Sequence, residues 1–226
     1  MLQNPSVLIV LSILIGLFGV ILFLLLGKRK KHSVLLLGTC DSGKTALFVR
    51  LIHETTKASF TSLKENVASF HGKQPLKIVD IPGHEKVRYE CLGKYKSDMR
   101  AIIYVIDSEK IQNDLKDVAE FLYNILSDSE VMKTRVKILI VCNKQDAMLA
   151  KGSSVIRNLL ERELSTLSVT RADALASLDE RKQQKPASVT QVGSPFRFSS
   201  CRNPTEFVEC SATTDVSPVK NWLSNI

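Results

Sequence analysis

The chain is short of the residues that staple small proteins together or read nucleic acids. Its five cysteines (Cys40, Cys91, Cys142, Cys201 and Cys210) are an odd set with no C-x-x-C spacing. That excludes a fully paired disulfide framework and argues against a zinc site; reduced thiols in a cytosolic domain are expected. Aromatic residues make up only 6% of the sequence, and no stretch interleaves them with basic residues, so no direct nucleic-acid ligand is expected. No charged side chain occurs before Lys28, and no acid before Asp41. A cleaved signal peptide needs a basic leading region and a short apolar core ending at small residues; this sequence offers neither.

What is present is globular: 226 residues, 44% hydrophobic and 24% charged, enough for one well-buried domain with appendages. The formal charge is +8, of which Lys28, Arg29, Lys30 and Lys31 supply four, leaving about +4 for the remainder. Upstream of this basic run, Val7 to Leu26 is a stretch of 20 uncharged residues rich in Leu, Ile, Val and Phe. At about 1.5 Å per residue it spans roughly 30 Å, the hydrocarbon thickness of a bilayer. The expectation is a retained transmembrane anchor at 7–26. The cations at 28–31 then stay cytosolic, leaving a short lumenal segment at 1–6, a basic flank at 27–32 and a cytosolic domain at 33–226.

Within that domain, short apolar runs at Ser33–Leu37, Leu76–Ile81, Ala101–Ile106, Val136–Cys142 and Phe207–Cys210 read as strands. Helical segments fall between them at Ala46–Ile52, Asp114–Leu126, Val155–Leu167 and Pro218–Ile226. The alternation predicts an α/β, doubly wound, mostly parallel sheet. Residues 168–204 are Ser-, Thr-, Gln- and Ala-rich with three prolines, which reads as a long, flexible surface insertion.

The chemistry is concentrated in the loops. Gly38-Thr39-Cys40-Asp41-Ser42-Gly43-Lys44-Thr45 satisfies G-x-x-x-x-G-K-[ST] between a strand and a helix. Such a loop wraps phosphates with its N–H groups, while Lys44 neutralises them and Thr45 ligates Mg2+. Asn143-Lys144-Gln145-Asp146 follows the strand at 136–142. The Asp146 carboxylate can accept both N1–H and the N2 amine of guanine, a donor pair adenine lacks. Asn143 can serve the other edge of the base, and the Lys144 stem can cover its face. Ser211-Ala212, after the last strand, can reach the base oxygen through backbone. In Asp80-Ile-Pro-Gly83, Asp80 can hold Mg2+ through water and the Gly83 N–H can meet a γ-phosphate. Thr61 is the favoured second hydroxyl for Mg2+, with Ser62 its rival.

On these motifs the chain resembles the small GTPases of the Arf/Sar branch, and among them the beta subunits of the signal recognition particle receptor. The resemblance covers nearly the whole sequence. It rests on the N-terminal span, the 38–45 loop, Asp80-Ile-Pro-Gly-His-Glu85, Asp117-Val-Ala-Glu-Phe-Leu-Tyr123, Asn143-Lys-Gln-Asp146 and Glu209-Cys-Ser-Ala212. The first loop and Asn-Lys-Gln-Asp are generic to GTPases, whereas Pro82 combined with the anchor is more specific. The resemblance implies a P-loop GTPase fold, GTP and Mg2+ as cofactors, and a single pass through the endoplasmic reticulum membrane. It also implies a heterodimer with the receptor's alpha subunit, contact with ribosome or translocon, and delivery of ribosomes bearing signal sequences.

His84 stands where Ras-like proteins carry the glutamine that orients the attacking water. It is the candidate for water positioning, although an imidazole lacks the paired donor and acceptor of a carboxamide; a solvated switch residue is the other reading. Cys40 likewise replaces a glycine near the γ-phosphate. Two functions follow: a nucleotide-gated binding module with slow turnover, or a GTPase whose hydrolysis a partner stimulates. A cycling Arf/Sar-like GTPase of membrane traffic is the alternative, weakened because Leu2 excludes myristoylation.

Overall fold

The computed structural model describes residues 9, 11–19, 31–53, 64–178 and 195–226, with backbone alone at 173–178. Two compact units divide the chain, Met1–Lys31 and His32–Ile226. In the first, residues 11–19 are helical with exposed Leu, Ile and Phe side chains. Among the described residues no helix is long and apolar enough to cross a membrane; apart from Ile9 and 11–19, the expected 7–26 span lies outside them.

The second unit is built on a six-stranded sheet in the order β2-β3-β1-β4-β5-β6. Its strands are β1 (Ser33–Leu37), β2 (Asn66–His71), β3 (Pro75–Asp80), β4 (Met99–Asp107), β5 (Lys137–Asn143) and β6 (Thr205–Glu209). All neighbours are parallel except β2, which runs antiparallel to β3 at one edge. The helices are α1 (Lys44–His53), α2 (Glu85–Tyr95), α3 (Ile111–Leu126), α4 (Ser129–Thr134), α5 (Ser153–Leu178) and α6 (Ser217–Leu223). Because strand side chains alternate between faces, β1 sends Val34 and Leu36 to one layer and Leu35 and Leu37 to the other. α1 and α6 cover the first layer; α2 to α5 cover the second. This is the expected doubly wound α/β sheet, with every predicted strand present to within two residues.

Three features differ from expectation. β2 has no apolar run; it alternates half-buried and exposed positions, as an edge strand with one face packed must. α2 buries only Arg88, Cys91 and Leu92, too narrow a stripe to announce a helix in the sequence. The segment 168–204 is not a surface insertion throughout. α5 continues to Leu178, and Arg171 ties it to α3 through Glu120 at 2.7 Å and Asn124 at 2.6 Å. At the other end Phe196 and Phe198 are buried, and Phe198 meets both Phe196 and Phe207 edge-on at 5.0 Å. Each such ring contributes roughly 1.5–3 kcal/mol by burial alone, enough to dock a polar segment at its end. Residues 179–194 of that segment lie outside the described residues.

Candidate nucleotide-binding site

β1, β3, β4 and β5 all end on one edge of the sheet, so the loops leaving them converge there, where ligands of open α/β sheets bind. The 38–43 loop leaves β1 and feeds α1. Gly43 adopts φ +87, and a Cβ there would lie 2.2 Å from Asn143 Nδ2; neither the conformation nor the space admits a side chain. Lys44 is 6% exposed, and its ammonium donates to Thr39 O at 2.6 Å. Burial pushes its pKa down, against the opposing pull of Asp80. A desolvated ammonium of this kind gains from an anionic neighbour.

Asp80, the last residue of β3, is buried. Its Oδ2 accepts from Thr45 Oγ1 at 2.8 Å and Asn66 Nδ2 at 3.1 Å, whereas Oδ1 is buried without a partner. Burial raises the carboxyl pKa, and these hydrogen bonds partly offset it. An orphaned carboxylate oxygen beside a hydroxyl fits a hard divalent cation. Among the described residues no cluster of three or more His, Cys, Asp or Glu could hold a metal by itself, so a cation here would also need water or phosphate oxygens. Thr61 and Ser62 lie outside the described residues.

The segment after β3 closes against the phosphate loop. A Cβ on Gly83 would come within 2.8 Å of both Cys40 N and Lys44 Nζ, so the bare backbone is what allows this approach. His84 is exposed and caps α2, its Nδ1 accepting from Lys86 N at 3.4 Å. Both border a cavity of about 530 Å³ together with Thr39, Cys40, Asp41 and Arg88. Its far wall, Asp107, Lys110, Asp114, Asp117 and Glu120, is mostly acidic.

Across the loop from this wall, Asn143 is 1% exposed and joins the two halves of the site. Its Nδ2 donates to Ser42 O at 2.9 Å and its Oδ1 accepts from Ala212 N at 3.0 Å. The side chain expected at the edge of the base is thus engaged in bracing the phosphate loop against the 211–212 loop. The N–H groups expected to reach the base oxygen are also engaged, Ala212 with Asn143 and Ser211 with Asp215 O at 2.9 Å. Lys144 has φ +64, and its ammonium pairs with Asp107 Oδ2 at 2.6 Å, which fixes the stem. Asp146 is exposed and accepts from Ser211 Oγ at 2.6 Å; that bond holds its carboxyl below the usual range.

Four side chains at this edge were not anticipated. Asp107 was legible, since it directly follows the strand read at 101–106, and an acid at a carboxyl strand end belongs to the binding edge. Gln145 donates to Ser108 Oγ and Lys151 O, each at 3.0 Å, and so shapes the loop. Arg88 is buried with its guanidinium 4.1 Å over the Phe121 ring and Nε unpartnered; nothing in its local sequence signals that. Nor does anything signal Asn66, which lies in the unanticipated β2.

Comparison with known proteins agrees with this fold. The family model described as signal recognition particle receptor beta subunit matches residues 29–203. The human signal recognition particle receptor subunit beta (Homo sapiens) is 39% identical over 99% of this chain and 88% of its own. The solved structure of the mammalian SRP receptor aligns at 40% identity with a TM-score of 0.77, covering 86% of this chain and 99% of that one. The SRb-GTP/SRX complex from Chaetomium thermophilum shares the fold, with TM-score 0.68 at 20% identity over 85% and 97% of the two chains. A P-loop GTPase fold, its 38–43 and 211–212 loops joined by one asparagine, and similarity along nearly the whole sequence lead to one conclusion: the chain belongs to the family of signal recognition particle receptor beta subunits.

Proposed function

We propose that this protein is the membrane-anchored, GTP-binding subunit of the signal recognition particle receptor. In this reading GTP with Mg2+ sits on the edge built by residues 38–45, 80–83, 143–146 and 211–212. Residues 7–26 hold the protein in the endoplasmic reticulum membrane, and the alpha subunit docks when GTP is bound. The assembly then supports delivery of ribosome–nascent chains, with ribosome or translocon as further contacts. The observation that carries the nucleotide reading is the Asn143 bridge, because it locks a phosphate cradle to a loop presenting a guanine-accepting carboxylate. The orphaned Asp80 Oδ1 beside Thr45 supports Mg2+, which supplies positive charge to the phosphate oxygens when bound; Thr61 is the proposed second hydroxyl. Lys44 neutralises outer phosphates, and the Gly83 N–H contacts a γ-phosphate.

His84 supports slow turnover. With Nδ1 capping α2, the ring has one nitrogen left for water, where a carboxamide would offer donor and acceptor together. A GTP-gated binding module is therefore the primary reading. The alternative, a cycling Arf/Sar-like GTPase of membrane traffic, makes a different prediction for membrane attachment: a spanning helix resists carbonate extraction, a reversible amphipathic attachment does not. The test of function is capture of the alpha subunit by the full chain in detergent, loaded with GTP or with GDP. Retention with GTP and loss with GDP is expected; equal capture in both states contradicts the gating.

A further inference from the structure

Charge is distributed unevenly along the strand axis of the domain. At the carboxyl edge Asp41, Asp80, Asp107, Asp146 and the cavity acids are interspersed with Lys44, Arg88, Lys110 and Lys144. The opposite edge, where the parallel strands begin, is basic. Lys73 sits in the β2–β3 turn, Arg100 at the start of β4, Lys133 and Arg135 in and after α4, Lys137 at the start of β5 and Arg202 just before β6. All six are exposed or half-exposed, and none forms an ion pair among the described residues. The acids of this edge are largely engaged: Asp98 accepts from Ser33 Oγ at 2.6 Å, and Asp128 pairs with Lys96 at 3.0 Å while capping α4. The hydroxyl bond leaves the Asp98 charge in place, so Asp98, Glu130 and the exposed Glu206 early in β6 stand against six cations.

Register places these groups on one level. Ser33 pairs with Met99, Ala101 with Lys137, Ile138 with Thr205, and His71 with Pro75. At about 4.8 Å per strand the row from Lys73 to Arg202 extends roughly 24 Å. Polar groups beneath it close the turns, as where Asn203 Nδ2 donates to Val131 O at 3.1 Å and Val136 O at 2.9 Å, so the row is carried on rigid backbone. His32 and Ser33, where the chain enters the domain from the basic run at 28–31, belong to the same edge.

We infer that this amino-end face binds the anionic headgroups of a phospholipid bilayer, directing the nucleotide edge away from the membrane. A broad row of unpaired cations suits a charged surface rather than a single ligand. The main rival polyanion is RNA, whose single-stranded forms are gripped by aromatic stacking. The single exposed Phe, Tyr or Trp of the domain among the described residues is Tyr89, which lies on α2 and meets Phe121 edge-on; this face offers only His32 and His71 as exposed rings. The inference rests on the proposed membrane attachment for the proximity of a bilayer, and carbonate extraction reports that attachment separately.

The test is lysine acetylation footprinting of the full chain in nanodiscs of phosphatidylcholine alone or with one third phosphatidylserine. Labelling of Lys73, Lys133 and Lys137 is expected to slow about fivefold in the anionic discs, the factor equivalent to ~1 kcal/mol per cation near such a surface. Lys86 and Lys110, on the nucleotide side, serve as unchanged controls. The protection is expected to vanish in about 1 M salt, where the Debye length is ~3 Å; in both Lys133→Glu/Arg135→Glu/Lys137→Glu and the milder Lys133→Gln/Lys137→Gln, Lys73 is the remaining reporter and its protection is expected to be lost. If the chain does not span, the same comparison is made by adding it to vesicles from outside. Equal labelling against the two lipid compositions overturns the inference, as does protection that appears only when RNA is added.

Discussion

The two ends of this sheet handle polar groups in opposite ways. At the amino end polar side chains mostly close turns: Asn203 bridges two carbonyls, and Asp128 caps α4 through the N–H groups of Glu130 and Val131, while Ser127 Oγ is buried without a partner. At the carboxyl end polar groups hold one another in tension. Asp41 and Lys144 adopt positive φ, Asp80 Oδ1 and Arg88 Nε are buried without partners, and Lys44 is desolvated. Orphaned buried groups and strained backbone each work against folding by about 1–3 kcal/mol. Such features persist where the rest of the domain imposes them; they are more numerous at the carboxyl end, the amino end carrying the left-handed Arg135 (φ +49) and the unpartnered Ser127 Oγ.

The largest effect is expected at Gly43. Gly43→Ala forces a Cβ into Asn143 Nδ2 and a side chain into φ +87, so nucleotide affinity should fall at least about 100-fold, the equivalent of ~2.7 kcal/mol lost from the cradle. Titration with a fluorescent GTP analogue reads this directly. Next is Asp146→Asn, which exchanges an acceptor for a donor toward the guanine amine. GTP affinity should drop roughly 10- to 100-fold, from ~1.5–3 kcal/mol of charged hydrogen bonding, while xanthosine triphosphate, with an oxygen at that position, competes better than before. Retained preference for GTP would remove Asp146 from base recognition.

A matched pair sharpens the contrast between the ends. Asn143→Ala and Asn203→Ala each delete an amide that bridges two segments, and each should destabilise the chain by about 1–3 kcal/mol in denaturant titration. Only Asn143→Ala should also weaken nucleotide binding. Equal loss of binding in both would mean that the site depends on overall stability rather than on the bridge. The smallest effect, opposite in sign, is expected from Asp80→Asn in nucleotide-free chain. Folding raises the Asp80 pKa, so the folded state holds that proton more tightly, and stability falls as pH rises from the unfolded to the folded value. Removing the charge should therefore raise Tm at neutral pH by about 2–4 °C per kcal/mol relieved, with the gain shrinking as pH falls, while Mg2+-dependent binding weakens. A lowered Tm would show that the carboxylate is already satisfied.

Much of this was legible in the sequence, and the boundary of legibility is physical. Fully buried parallel strands write themselves as apolar runs, and the phosphate and base loops carry fixed spacings. The edge strand β2 and the helix α2 bury too little to leave a period. The docked phenylalanines at 196 and 198 are single anchors in a polar segment, and composition averages them away. Side-chain bridges such as Asn143 to Ser42 depend on loops about a hundred residues apart meeting in space, which local pattern does not encode. Their residue types were identified as ligand groups; their bracing partners were not.

The central claim is that one edge of the domain recognises a guanine nucleotide through a cradle and a carboxylate held together by Asn143. The most direct test is competition for a fluorescent GTP analogue bound to the full chain in detergent with Mg2+, using unlabelled GTP and ATP. Displacement by GTP, with ATP at least about 100-fold weaker, is the expected result, since adenine lacks the donor pair for Asp146. Equal displacement by both, or no binding of either, would contradict the account.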